Sequence, residues 1–153
     1  MKRRDFLFMA TAATCSLSAF GSVRAAAKAG MTVYKDPNCG CCGAWASAME
    51  AAGFSVTVED VDDLGAVKRR FAVPAALEGC HTATIGGYVV EGHVPLEAVQ
   101  NMLRDRPDIS GIAVAGMPVG SLGMGVDSNA AYDVVAFRQD GSTDIVMQVR
   151  PKA

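Results

Sequence analysis

The chain has 153 residues, half of them apolar and few aromatic, with a net charge of -2. That suits one domain with a modest core. No basic patch is available for a phosphate backbone, so nucleic acid is not an expected partner, and no paired carboxylates, nucleotide-binding loop or Ser–His arrangement points to a hydrolase or transferase.

Residues 1–25 read as an export signal to be set aside from the fold. Lys2-Arg3-Arg4 form a charged start, Phe6 to Val23 a weakly apolar stretch, and Val23-Arg24-Ala25 a cleavage site, with Ala25-Ala26-Ala27 as a second choice. Thr11, Thr14, Ser16, Ser18, Gly21 and Ser22 dilute the stretch well short of a continuous ~20-residue span, so no stable membrane anchor is expected after cleavage. Arg3-Arg4-Asp5-Phe6-Leu7 resembles a twin-arginine signal, and the low hydrophobicity and late Arg24 fit that route; a general secretion signal is the alternative. Either route implies a periplasmic protein. Cys15 leaves with the signal, so four cysteines and two histidines remain. The cut removes four basic residues and one acid, taking 14 basic and 16 acidic residues to 10 and 15, a net of -5.

The expected domain spans residues 28–153. Met31 to Tyr34 reads as a strand, and Lys35 to Gly40 as a loop containing Pro37. Cys42 to Ala52 reads as a helix with Trp45, Ala48, Met49 and Ala52 on one face and Gly53 at its end. Phe54, Val56 and Val58 alternate with polar residues, as in a half-buried strand. Asp62 or Asp63 can cap a second helix burying Leu64, Val67 and Phe71. After Val73-Pro74 comes a hairpin, Thr82 to Ile85 and Tyr88 to Glu91 around Gly86-Gly87. Pro95 opens a third helix burying Leu96, Val99 and Leu103. Residues 106–130, rich in Gly, Pro and Met, read as an irregular loop. A second hairpin closes the chain, Tyr132 to Phe137 and Asp144 to Val149 around Asp140-Gly141. This order resembles a thioredoxin fold: an α/β domain with a mixed sheet, flanking helices and an added C-terminal loop and β-hairpin. Cys39 and Cys42, spaced C-x-x-C, stand where that fold passes from its first strand to its first helix.

Asn38-Cys39-Gly40-Cys41-Cys42-Gly43 holds three thiols at a helix start, where free N–H groups and the helix dipole favour thiolate. An exported protein is oxidised, so a disulfide from Cys39 to Cys42 or to Cys80 is one reading. A staple or a redox dithiol needs only two cysteines, however, and the third favours metal binding. Thiolates select Cu(I), zinc and iron–sulfur clusters. One zinc usually draws two separated ligand pairs, whereas Cu(I) accepts two or three sulfurs and tolerates bridging. Four thiolates on one Cu(I) would carry a net charge of about -3, costly to bury, and several ions sharing thiolates approach neutrality. More than one Cu(I) is therefore expected, and Zn(II) less so.

Cys80 follows Val73-Pro74 and precedes the hairpin, on the loop that faces the cysteine turn in a thioredoxin-like fold, so it is the expected fourth thiolate. A buried core cysteine is its plain alternative. His81 is either a ligand or a hydrogen-bond partner of a thiolate. Met117 and Met124 offer soft thioethers on a loop with few other large apolar residues; filling a small core is the alternative. His93 is expected to be a turn or helix-start residue.

Tyr34-Lys35-Asp36-Pro37, Cys39-Gly40-Cys41-Cys42, Trp45, Gly53-Phe54, Val73-Pro74, Cys80-His81-Thr82-Ala83, Glu91-Gly92-His93-Val94-Pro95, Gly116-Met117-Pro118 and Tyr132-Asp133-Val134 together resemble the CopG-type periplasmic copper-resistance proteins. The likeness covers nearly all of the chain after the signal, and Leu122 departs from it where similar sequences often carry proline. It implies a thioredoxin-like fold and copper held by Cys39, Cys41, Cys42 and Cys80. The expected function is Cu(I) binding for resistance or homeostasis, with copper efflux or chaperone proteins as partners. A thiol–disulfide or copper-coupled oxidoreductase using Cys39 and Cys42 is the alternative.

Overall fold

The computed structural model describes residues 30–151. The expected export signal and Cys15 lie outside the described residues. The chain runs β1 (Gly30–Lys35), α1 (Gly40–Ala51), β2 (Ser55–Asp60), α2 (Leu64–Arg70), a 3-10 turn at Ala75–Leu77, β3 (His81–Ile85), β4 (Tyr88–Glu91), α3 (Leu96–Asp105), β5 (Gly111–Ala113), β6 (Tyr132–Phe137) and β7 (Thr143–Val149). The seven strands among the described residues form one sheet in the order β2-β1-β3-β4-β5-β6-β7. Parallel β1 and β2 joined through α1, with the antiparallel β3–β4 hairpin beside β1, make the first four strands thioredoxin-like.

β5 differs from the sequence expectation, which left residues 106–130 irregular. It is three residues long, too short to display a period of two. It forms because the edge of β4 offers parallel pairing on one side and β6 antiparallel pairing on the other. That joins the C-terminal hairpin to the main sheet, and the residues after β5 return over the cysteine turn.

The helices bury a slightly different set of residues from that expected. α1 begins two residues earlier, at Gly40, and buries Cys42, Trp45, Ala46 and Met49, while Ala52 is exposed. In α2, Asp63 caps as expected, its Oδ1 accepting from the Ala66 N–H at 2.9 Å. The buried residue of α2 is Lys68; Leu64 and Val67 are only partly covered. α3 buries Ala98, Val99 and Met102, with Leu96 and Leu103 at the margin. β2 is an edge strand, so Val58 is exposed despite its alternating pattern. No helix among the described residues is long and apolar enough to cross a membrane.

The core runs from Met31 and Val33 through Trp45 and Met49 to Ile85, Val90, Val99, Ile112 and Val134. Trp45 is fully buried, and its indole N–H donates to the Val94 carbonyl at 2.9 Å. The Gly79 and Gly92 backbones touch each other. A Cβ on Gly79 would lie 2.6 Å from Gly92 Cα, and one on Gly92 would lie 2.5 Å from the Val114 carbonyl oxygen at a φ of +69°. Gly92→Ala should therefore destabilise the protein by about 3 kcal/mol, through backbone overlap and a left-handed dihedral. Gly43→Ala, in α1 with open space around it, should stabilise it by about 0.5 kcal/mol. Urea unfolding of both variants checks the opposite signs, and equal midpoints would refute the backbone contact.

Candidate metal centre

The cysteine turn is fixed before α1 begins. Lys35, at the end of β1, donates to the carbonyls of Asp36 (3.0 Å) and Pro37 (3.3 Å) and pairs with Asp60 at 2.7 Å. The Asp36 side chain accepts from the Asn38 N–H at 2.7 Å, and the Asp36 carbonyl accepts from the Cys39 N–H at 3.0 Å. Cys39 is the N-cap residue and makes no side-chain cap bond. No acidic residue occupies the first turn, so no carboxylate competes for the free N–H groups and dipole end beside the cysteines.

The sulfurs of Cys39, Cys41, Cys42 and Cys80 all lie within 4.8 Å of one another. The topology thus brings together the four cysteines expected from the sequence. Cys39 and Cys42 are joined as a disulfide, while Cys41 and Cys80 are free. The Cys41 sulfur stands 3.5 Å from Cys39 Sγ and 3.9 Å from Cys80 Sγ. Cys42 Sγ is 3.3 Å from the Cys80 carbonyl oxygen, which a reduced Cys42 thiol can use as an acceptor. Two-electron reduction of the Cys39–Cys42 disulfide would leave four thiols on a single site.

A second group shares Cys80: its sulfur lies within 4.8 Å of ligand nitrogens on His81 and His93. His93 is fully buried, in the bend before α3 where a turn or helix-start residue was expected, and its burial is what the sequence did not reveal. Its ring faces the site. Nδ1 lies 2.7 Å from the Leu122 carbonyl, which can only accept, so Nδ1 carries the proton. Burial lowers the His93 pKa and the Leu122 carbonyl partly opposes this, so the ring is neutral at neutral pH and Nε2 has a free lone pair. That lone pair is 2.7 Å from Cys80 Sγ, at hydrogen-bonding distance from the thiol. A histidine in Glu91-Gly92-His93 has no sequence signature of this; the clue would have been its place two residues beyond a strand adjoining Cys80.

His81 Nδ1 is 3.7 Å from Cys80 Sγ, and its buried Nε2 has no hydrogen-bond partner. Its ring packs against Trp45 at 4.5 Å and edge-on to His93 at 5.0 Å. Burial, then His93 and Lys68, push its pKa down to about 3. Burial and the neighbouring Cys41 push the Cys80 thiol up to about 12, against a weaker opposing pull from Lys68. The arrangement is a half-buried set of soft sulfur and imidazole donors, able to hold a metal ion.

The methionine loop crosses this site. A Cβ on Gly123 would lie 2.9 Å from both the Cys41 carbonyl and the Trp45 nitrogen, so the loop lies directly on the start of α1. Met124 follows it and is partly buried; Met117 is 56% exposed. Gly116 pairs with Gly79, next to Cys80. Both methionines are thus on the loop that borders the cysteines.

The buried histidines set a pH dependence for the metal-free protein. Burial holds the His81 pKa at about 3 in the folded protein against about 6.5 in an unfolded chain, so the unfolded state binds more protons between those values. Stability should fall as pH drops through that window, by about 1.4 kcal/mol per pH unit per proton. His93 acts in the same direction. Cys80 sets the opposite slope above pH 9, where unfolding releases its proton. Thermal unfolding between pH 6.5 and about 5, above most of the carboxylate range, should show a shallower slope for His81→Phe than for wild type. Parallel slopes would mean that His81 is charged in the folded protein.

The family described as "Protein of unknown function, DUF411" matches residues 77–124, which contain Cys80, both histidines and both loop methionines. No curated protein matches the chain. Two solved structures do. One, named "Copper resistance protein copG- Form 2", is 42% identical with a TM-score of 0.75. The other, "Copper resistance protein copG- Form 1", is 43% identical with a TM-score of 0.74. Each comparison covers 80% of this chain and 98% of the other. With that identity over almost the whole of its relatives, and a cysteine cluster in place of a lone C-x-x-C, the chain belongs to the CopG family of copper-resistance proteins.

Proposed function

We propose that this protein is exported to the periplasm and holds more than one Cu(I) ion through the thiolates of Cys39, Cys41, Cys42 and Cys80, in copper resistance or homeostasis. The observation that carries this reading is the convergence of four sulfurs within 4.8 Å. Four thiolates and several Cu(I) ions balance charge where one ion would not, which matters at a half-buried site. Zinc is less favoured because three of the donors come from one turn. His93 Nε2 adds a neutral nitrogen beside Cys80, with His81 and the thioethers of Met117 and Met124 as further donors. Copper efflux or chaperone proteins are the partners this role calls for. Loading needs Cys39–Cys42 reduced and releases the Cys80 proton, so copper uptake should be accompanied by proton release.

A thiol–disulfide or copper-coupled oxidoreductase is the second reading, favoured by the Cys39–Cys42 disulfide with a free Cys41 thiol 3.5 Å from it. The two readings differ at Cys41 and Cys80. Titrating reduced protein with Cu(I) against a competing ligand should saturate above one equivalent. Cys41→Ser and Cys80→Ser should each lose most of that copper, since serine is nearly isosteric but a hard donor. Full loading of both variants would overturn the four-thiolate site, and insulin-disulfide reduction by the same variants would then favour the enzyme.

Export is tested separately, because its motif is Arg3-Arg4-Asp5-Phe6-Leu7. Changing Arg3 and Arg4 together to lysine should leave uncleaved precursor inside the cell. Normal periplasmic accumulation of the variant would indicate the general secretion route.

A further inference from the structure

We infer that Glu91, held by Lys68 and Thr82, is a positioning residue that sets Cys80 against the cysteine turn; the inference deepens the copper-binding reading and rests on it for its purpose. Glu91 ends β4 and is fully buried, and the Lys68 side chain reaching it from α2 is 6% exposed. One carboxylate oxygen accepts from the Gly79 N–H at 2.7 Å and from the Lys68 ammonium; the other accepts from the Thr82 hydroxyl at 2.6 Å. Lys68 also donates to Thr82 Oγ1 at 3.2 Å. Gly79 and Thr82 bracket Cys80 and His81, so one carboxylate grips that dipeptide from both sides.

The same residue orders the opposite wall. The Glu91 carbonyl accepts from the Val114 N–H at 3.0 Å, and the Gly92 N–H donates to the His81 carbonyl at 2.9 Å. His93, two residues on, is thereby aimed at Cys80. A buried ion pair is a poor source of stability, since apolar replacements of both partners are often neutral or better. Its location supplies a different reason: both directional bonds to the backbone and hydroxyl fall on residues flanking a metal-binding sulfur. Groups that orient ligands in this way tune metal affinity without touching the metal.

Two double variants separate the grip from the charge. Lys68→Met with Glu91→Gln is neutral and keeps an acceptor for Gly79. Lys68→Met with Glu91→Leu is neutral and removes it. The Gln variant should hold Cu(I) close to wild-type affinity, and the Leu variant should lose about 10- to 100-fold. A copper-free readout accompanies this in a Cys39→Ser/Cys42→Ser background. Diamide takes two protons and two electrons from the Cys41 and Cys80 thiols, becoming the hydrazine as their disulfide forms, and peptide mass mapping follows the rate. The Leu variant should form that bond more slowly by a similar factor, and the Gln variant at the parent rate. If the two doubles behave alike in both readouts, the inference is wrong. If wild type takes up no Cu(I), the copper reading fails and the crosslinking rate still decides the grip. Should the Leu variant not fold, Thr82→Val replaces it: a slower Cys41–Cys80 bond supports the grip, and a parent rate overturns it.

Discussion

The burial of Trp45 is the contact on which the site depends. It lies one turn after Cys42, so placing its ring in the core fixes the rotation of α1 and the direction in which the cysteine turn faces. Its indole N–H reaches the Val94 carbonyl and its ring covers His81. One side chain therefore ties the first cysteine segment to both histidine segments. Burying about 200 Å² of aromatic surface is worth about 5 kcal/mol, a large share of the stability of a domain this size. The geometry of the sulfurs is thus maintained by the core rather than by the sulfurs themselves.

The site's electrostatics follow from the same burial. With His81 and His93 neutral and Cys80 protonated, the metal-free donors themselves carry little charge, which burial favours. The cost of ionising Cys80 is deferred until a cation arrives to share it. In the oxidised protein the Cys39–Cys42 disulfide is uncharged as well. Sulfur and imidazole are thus held uncharged at Cys80 and the two histidines, while the buried carboxylate next to them, Glu91, is paired with Lys68.

Much of the fold was legible because its signals are local. Asp63 caps α2, Gly86-Gly87 turns the first hairpin, Pro95 opens α3, and the second hairpin lies around Asp140-Gly141 as expected. What failed was non-local. β5 has three residues and is a strand only because β4 and β6 stand on either side. Val58 alternates correctly and is still exposed, because no pattern in a strand says whether it will be an edge. Lys68 was invisible as a buried residue, since a lysine on a short helix is ordinarily solvated and only the carboxylate across from it reverses that.

The site divides in the same way. The sequence alone determined the three cysteines of Cys39-Gly40-Cys41-Cys42 and their place at a helix start, because spacing within one turn fixes sulfur proximity without help from the rest of the chain; Cys80 was a candidate only through its place in a thioredoxin-like element order. Only the tertiary structure decided that Cys80 meets Cys41, that His93 turns its bare nitrogen onto Cys80, and that the methionine loop lies over the cysteines. Those contacts join segments 13 to 39 residues apart or more. They depend on sheet order and on two glycine backbones touching, quantities set by the packing of the whole domain and not by any local pattern.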